Sequence, residues 1–314
     1  MSNHTPIIVI VGPTASAKSA IAAKVARNAD GEIISADSRQ VYRYLDIGTN
    51  KSGKLNHTSG LWEIDGIPQH LIDCIDPAQT FSAGDFISRT TTLIEEIRTR
   101  GMRPIIVGGT GLYIKTLIDG LAQLPAPDPK LREQLKKECS AHGKEYLYQR
   151  LKSLDPDSAE KHRYNPQRLI RAIEVCTLSG KPISMLHADT TPSKENFIQF
   201  GLRWPRTELY ANINLRTRAM IDAGLIDEAT AAIKRGYAPD CPGLASIGYG
   251  DALACAKGEI SRQQLEEKIS RDTRHYAKRQ ITWFNRDKRI TWIDTTQSTF
   301  DPPKIANAIV AKRN

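Results

Sequence analysis

Short, unbroken apolar runs alternate with segments of helical spacing through the first third of the chain. "PIIVIVG" sets five β-branched residues in a row, Ile7 to Val11, which predicts a strand buried on both faces. "SAIAAKVARNADG" has helical spacing and runs out at Gly31. "EIISAD" predicts a second strand, stopping at Asp37, and "QHLID" a weaker one. "SAGDFISRTTTLIEEIRTRG" predicts an amphipathic helix with Gly101 just past its end, and "RPIIVGGTG" a buried strand closed by a glycine turn. Strands alternating with helices predict a parallel, doubly wound α/β sheet. After "LAQLPAPDPK", punctuated by Pro125, Pro127 and Pro129, residues 130–190 read as charged helices. "FIQFGLRW" then returns to strand, and the rest is helical apart from "RITWID", including a long polar helix from about Ser261 to Asn285. The expectation is one α/β core, residues 1–122 and 200–314, carrying a helical insertion, residues 123–199.

Composition changes this picture in one respect. At 40% hydrophobic and 25% charged residues over 314 positions, the chain has ample material for a soluble core. Its 44 Lys+Arg against 35 Asp+Glu give a net charge of +9, which favours a polyanionic partner. No segment has the length of a signal-peptide core or a membrane span. Cys74, Cys139, Cys176, Cys241 and Cys255 are scattered, without a C-x-x-C pair, so reduced thiols in a cytoplasmic protein are expected and a structural zinc is not.

The chemistry starts at "GPTASAKS". Gly12, Lys18 and Ser19 fit the phosphate-loop pattern G-x-x-x-x-G-K-[ST], while Ala17 stands in place of its second glycine. A strand enters and a helix leaves, as a cradle of backbone N–H groups at a helix N-terminus requires. Gly12, Pro13, Thr14, Ala15, Ser16, Ala17, Lys18 and Ser19 are therefore candidate diphosphate or nucleotide (ATP-type) ligands, with Mg²⁺ at Ser19. Asp37 and Ser38 end the second strand at the edge where α/β ligands bind; an N-cap role is the competing explanation for Asp37. "GGTGLY" ends its strand in glycines and Thr110, where many phosphate-loop enzymes carry an acid, and the only comparable acid is Asp73. A diphosphate cradle without hydrolytic machinery suits a reaction in which pyrophosphate leaves.

Together these segments resemble the tRNA dimethylallyltransferase (tRNA isopentenyltransferase) family. The matching stretches are "GPTASAKS", "ISADSRQVYRYLDIGT", "PQHLID", "PIIVGGTGLY", "NPQRLIRAIEV", "MIDAGLIDEA", "ASIGYGDAL" and "TRHYAKRQITWF", in order and over nearly the whole chain. The family usually has glycine at Ala17 and threonine at Ser19. The resemblance implies a P-loop NTPase-like fold. It also implies transfer of the allyl group of dimethylallyl diphosphate to N6 of the adenosine at position 37 of tRNA, with Mg²⁺. Carried over, Asp37 faces the adenine N6, and Lys18 and Arg216 grip the diphosphate. Asp37, Ser38, Arg39, Gln40, Thr110, Arg132, Gln167, Arg168, Leu169, Ile170 and Arg171 touch the tRNA anticodon loop. A carboxylate suits a weakly nucleophilic amino group that must lose a proton, and cations suit a leaving group that gains charge.

Two stretches are candidate RNA surfaces: "RDTRHYAKRQITWFNRDKR", with Arg271, Arg274 and Lys278 on one face and Tyr276, Gln280 and Trp283 on another, and "KHRYNPQRLIR". Periodicity alone reads the first as a solvated helix with a core stripe, and the aromatics are expected in the core. Arg168 and Arg171 have Glu174 and Asp157 as competing partners. A small-molecule or nucleotide kinase, a transferase acting on free adenine nucleotides and a non-catalytic RNA-binding protein are the alternatives. The enzyme is expected to be a monomer.

Overall fold

The computed structural model describes residues 5–312. The chain runs β1 (Ile7–Val11), α1 (Lys18–Asn28), β2 (Gly31–Ser35), β3 (Lys54–Leu55), β4 (Trp62–Ile64), β5 (Ile67–His70), α2 (Ala83–Thr99), β6 (Arg103–Gly108) and α3 (Gly111–Asp119). Then come α4 (Pro129–Leu154), α5 (Pro156–His162), α6 (Pro166–Ser179) and α7 (Ile183–Ala188). The last stretch is β7 (Phe197–Arg203), α8 (Arg206–Asp222), α9 (Leu225–Lys234), α10 (Tyr249–Ala256), α11 (Arg262–Phe284), β8 (Ile290–Asp294) and α12 (Pro302–Ala311).

All eight strands form one sheet in the order β3-β4-β5-β2-β6-β1-β7-β8. Every pair from β5 to β8 is parallel, as the apolar runs predict. The other edge corrects the all-parallel expectation. Here β3, β4 and β5 pair antiparallel, with β4 and β5 joined at Asp65 and Gly66, both at positive φ (53° and 79°), the backbone of a tight hairpin turn. Ile7 to Val11 are at most 3% exposed, so β1 is covered on both faces. One core joins Ile8, Ile10, Ile33, Ile105 and Phe200 of the sheet to Ile21 and Val25 of α1 and Ile309 of α12.

Two compact units emerge: 1–115 with 195–314, and 116–194. The return boundary differs from the expected 199/200 because β7 pairs with β1 from Phe197 onward, so the whole strand belongs to the α/β unit. The helical unit has its own core of Leu135, Leu147, Leu151, Leu169, Ile173 and Val175. Its fully buried Glu174 accepts bonds from Arg132 (Nε, 2.9 Å; Nη2, 3.0 Å), Arg171 (Nη1, 2.5 Å) and the Asp128 N–H (2.8 Å). Burial works to raise that carboxyl, and the bonds from Arg132 and Arg171 outweigh it and hold it low.

Candidate active site

Three loops leave the sheet side by side. Strand β6 lies between β2 and β1, with Ser35 opposite Val107 and Val11 opposite Gly108. The phosphate loop after β1, the Asp37 loop after β2 and the Gly108–Gly109 turn after β6 thus share one edge, the position where parallel sheets bind ligands. The glycines allow close packing. A Cβ on Gly108 would stand 2.1 Å from the Ala36 carbonyl oxygen, and one on Gly109 2.2 Å from Gln280 Nε2.

Residue 17 explains the odd letter in the phosphate loop. Ala17 is the N-cap of α1 in the left-handed region (φ 61°, ψ 23°), a conformation that costs a non-glycine residue about 1–2 kcal/mol. The alanine therefore keeps the loop geometry at some cost. Ala17→Gly should raise unfolding free energy by about 0.5–1 kcal/mol, after the extra freedom of the unfolded glycine is discounted, and should keep diphosphate affinity. Denaturant melts and diphosphate titration of the two proteins check it. The first helical bond runs from Ile21 N–H to Ala17 C=O, so the Lys18, Ser19 and Ala20 amides of the first turn are left for an anion.

A cavity of about 740 Å³ opens over this edge, lined by the loop from Thr14 to Ala20, by Asp37 to Gln40, and by Gly48 to Asn50. Asn212, Arg216 and Met220 of α8, Ile247, and Ile269, Thr273, Tyr276 and Arg279 of α11 also line it. Lys18 donates to the Pro13 carbonyl (2.7 Å). Burial brings its ammonium down to about 8, with Asp37 opposing and Arg216 adding to the fall. Burial likewise brings Arg216 down to about 10 against the pull of Asp37, and its buried Nε has no hydrogen-bond partner among the described residues. Two desolvated cations side by side make a site that an anion stabilises.

Asp37 holds the turn that follows β2 and also lines the cavity. Its Oδ1 accepts the N–H groups of Arg39 (2.8 Å) and Gln40 (3.3 Å), which fixes the carboxylate at the cavity wall. Oδ2 makes no hydrogen bond to a described residue and is left for a ligand. Ser38 N–H donates to Thr110 Oγ1 (3.0 Å), and Gln40 Nε2 donates to the Asn50 carbonyl (2.9 Å). Arg39 is exposed and reaches the Pro242 carbonyl (3.1 Å). Asp73 is committed elsewhere, bonded with Asp46 to the buried Lys51 ammonium.

Helix α11 carries what the sequence reading underrates. Tyr276 is not a core residue: it lines the cavity, and burial pushes its phenol up to about 12. One turn on, buried Gln280 accepts the Thr14 N–H (2.8 Å) and donates to the Gly109 carbonyl (2.9 Å). It ties the phosphate loop to the β6 turn. Gln280→Leu would strand both backbone groups, at about 1–3 kcal/mol each. The expected result is a lower melting temperature and a weaker grip on diphosphate, read by calorimetry and titration. Among the cations, Arg279 reaches the cavity, whereas Arg271 pairs with Asp272 (3.0 Å) and Arg274 with Asn214 (2.7 Å).

The insertion positions stand in the other unit. Leu169 (0% exposed) and Ile170 (9%) belong to its core, so direct contact through these two side chains is corrected to a packing role. Gln167 and Arg168 are exposed, and Arg132 and Arg171 are partly exposed above Glu174.

A doubly wound sheet with a phosphate loop, and a basic cavity holding one oriented carboxylate, defines a phosphate-loop transferase. A family model described as IPP transferase matches residues 40–287, and the chain belongs to that family. It is 46% identical over 289 residues to the tRNA dimethylallyltransferase of Heliobacterium modesticaldum, covering 91% of this chain and 88% of that one. It is 41% identical over 296 residues to tRNA dimethylallyltransferase 2 of Geotalea uraniireducens, covering 93% of each. The crystal structure of the full-length tRNA isopentenylpyrophosphate transferase of Bacillus halodurans superposes with a TM-score of 0.70 at 37% identity, covering 99% of this chain and 97% of that chain. A eukaryotic dimethylallyltransferase captured acting on tRNA gives 0.79 at 25% identity, covering 98% and 78%.

Proposed function

We infer that the protein is a tRNA dimethylallyltransferase, moving the five-carbon allyl group of dimethylallyl diphosphate to N6 of the adenosine at position 37 of tRNA and releasing diphosphate. The observation that carries this is the convergence of Lys18, Arg216 and Asp37 on one cavity. The diphosphate lies on the free amides of the phosphate loop, with Lys18 and Arg216 on its oxygens. Met220, Ile247 and Ile269 give the allyl group an apolar wall. An extruded adenine sets N6 against Asp37 Oδ2. As C–N bonding begins, the carboxylate accepts the N6 proton, while the cations stabilise charge growing on the departing oxygen more than they stabilise the ground state.

Magnesium fits this donor set. The Ser19 hydroxyl lines the cavity, and no group of three His, Cys, Asp or Glu among the described residues makes a protein-only metal site. The Ser19 hydroxyl would hold a Mg²⁺ ion, which when bound would supply further neutralisation of the leaving group. Free cysteines and soluble substrates suit the cytoplasm, and no helix among the described residues is long and apolar enough to cross a membrane. In the helical unit Arg132, Gln167, Arg168 and Arg171 are read as the tRNA contacts.

The kinase alternative meets an obstacle at the end of β6. Gly108 and Gly109 are closed over by Ala36 and Gln280, which leaves no acid there to position a nucleophile. Incubation with dimethylallyl diphosphate, Mg²⁺ and unmodified tRNA, then mass analysis of the nucleosides, should show one prenylated adenosine. Prenylation of AMP alone, or phosphate transfer from ATP, would overturn the assignment.

A further inference from the structure

The turn between α5 and α6 carries an aromatic ring that the fold leaves largely in water. Tyr164 is 79% exposed, the most exposed of the large apolar or aromatic side chains described. Leaving such a ring in water forgoes burial worth about 1.5–3 kcal/mol. Its backbone is nevertheless held firmly. The Asn165 N–H donates to the His162 carbonyl (2.8 Å), the Asn165 side chain caps α6 through the Arg168 N–H (3.1 Å), and Pro166 fixes the first helical residue. The ring therefore stands on a rigid tip.

Its own segment is cationic. Residues 161–171, "KHRYNPQRLIR", contain four Lys or Arg and no acid. Two of the nearby acids are engaged elsewhere: Glu160 with the Tyr148 hydroxyl and Glu174 with Arg132 and Arg171. Lys161 and Arg168 lie close enough to His162 to add to the lowering that burial imposes on its imidazole. Lys144 Nζ sits 5.3 Å from the centre of the Tyr164 ring, and Arg163 covers the Tyr148 ring at 4.7 Å. None of Lys144, Lys161, Arg163 and Arg168 has a carboxylate within ion-pair distance among the described residues.

An exposed aromatic side chain on a hydrogen-bonded turn, with Lys144 beside the ring and unpaired cations on the flanking residues, is how proteins hold single-stranded nucleic acid: the ring stacks on a base and the cations take the flanking phosphates. An acidic peptide would satisfy the cations but gives no reason for the bare ring. We propose that Tyr164 is a stacking platform for an unpaired base of the RNA substrate, with Lys144, Lys161 and Arg168 on the adjacent phosphates. This rests on the reading of the protein as a tRNA-modifying enzyme and adds to it a contact outside the cavity.

The test uses the full chain, an anticodon stem-loop hairpin, whole tRNA and dimethylallyl diphosphate. Tyr164→Ala and Tyr164→Leu should bind the hairpin about tenfold more weakly and raise KM for tRNA by a similar factor, the loss of one base–aromatic stack. Tyr164→Phe and Tyr164→Trp should bind as the wild type does. Melting temperature and KM for the allyl donor should not move in any variant, since the ring is on the surface. Tyr164→Ala binding within twofold of wild type, or Leu serving as well as Phe, would overturn the platform. So would polyglutamate displacing the hairpin in a manner that depends on Tyr164, which would mark an acidic-protein site. Wild-type protein that binds the hairpin through Tyr164 yet prenylates no tRNA would remove the activity and keep the platform. Full prenylation with an indifferent Tyr164 would do the reverse.

Discussion

Asp37→Ala lowers turnover by about 10²–10⁴-fold, the usual worth of a positioned proton acceptor, and leaves diphosphate affinity within about twofold. The separation follows from where the carboxylate stands. One oxygen is spent on the Arg39 and Gln40 amides and the other is open to the cavity, while the diphosphate ligands belong to the loop after β1 and to α8. Removing a negative charge near Lys18 and Arg216 does not weaken an anion's hold. Asp37→Asn should keep the turn bonds and still lose the chemistry, so the pair separates proton acceptance from loop order. Single-turnover rates alongside diphosphate titrations give both quantities. Lost diphosphate binding with an intact chemical step would invalidate the role.

Lys18→Met acts on the other reactant and should lower kcat/KM for the allyl donor by about 10²–10³-fold, as loss of one preorganised charge does. The same residue sets a pH dependence. With its ammonium at about 8 in the free site, donor affinity should be flat below that pH and fall as pH rises through it, because the neutral amine no longer attracts the diphosphate. Stability runs the other way. An amine lowered from 10.5 to about 8 on folding leaves the unfolded chain holding more protons between those values, so stability rises with pH across that window. At pH 7 the folded state still carries the full penalty. Lys18→Met should thus be more stable than wild type near neutrality while nearly inactive. A variant that loses both activity and stability would show that Lys18 is structural.

Much of this was legible in the residues. Runs of β-branched residues announce β1 and β6 and, more briefly at Ile33 and Ile34, β2, because strands covered on both faces have little polar face to alternate with. Gly12, Lys18 and Ser19 announce the cradle despite Ala17, since only the backbone at that position has to be left-handed. The antiparallel edge was missed: Asp65-Gly66 is a strong hairpin signal, but strands of two, three and four residues leave little periodicity to see. Gln280 and Tyr276 were assigned to a core stripe because helical spacing tells which residues share a face, not what the face meets. Here it meets a loop backbone and a cavity. Leu169 and Ile170 show the converse, where a motif match extends over residues whose side chains hold the helix rather than the ligand.

The place of β6 between β2 and β1 has one more outcome. Neighbouring strands stand about 4.8 Å apart, so the starting points of the Asp37 loop and the phosphate loop are separated by two strand widths, about 10 Å, in a hydrogen-bonded lattice that cannot stretch. Nucleophile and leaving group are thereby gauged by the sheet itself. Tolerance for a bulkier or smaller donor is then a matter of the replaceable side chains Met220, Ile247 and Ile269, and directed evolution toward other alkyl groups should find its gains there and none in the frame.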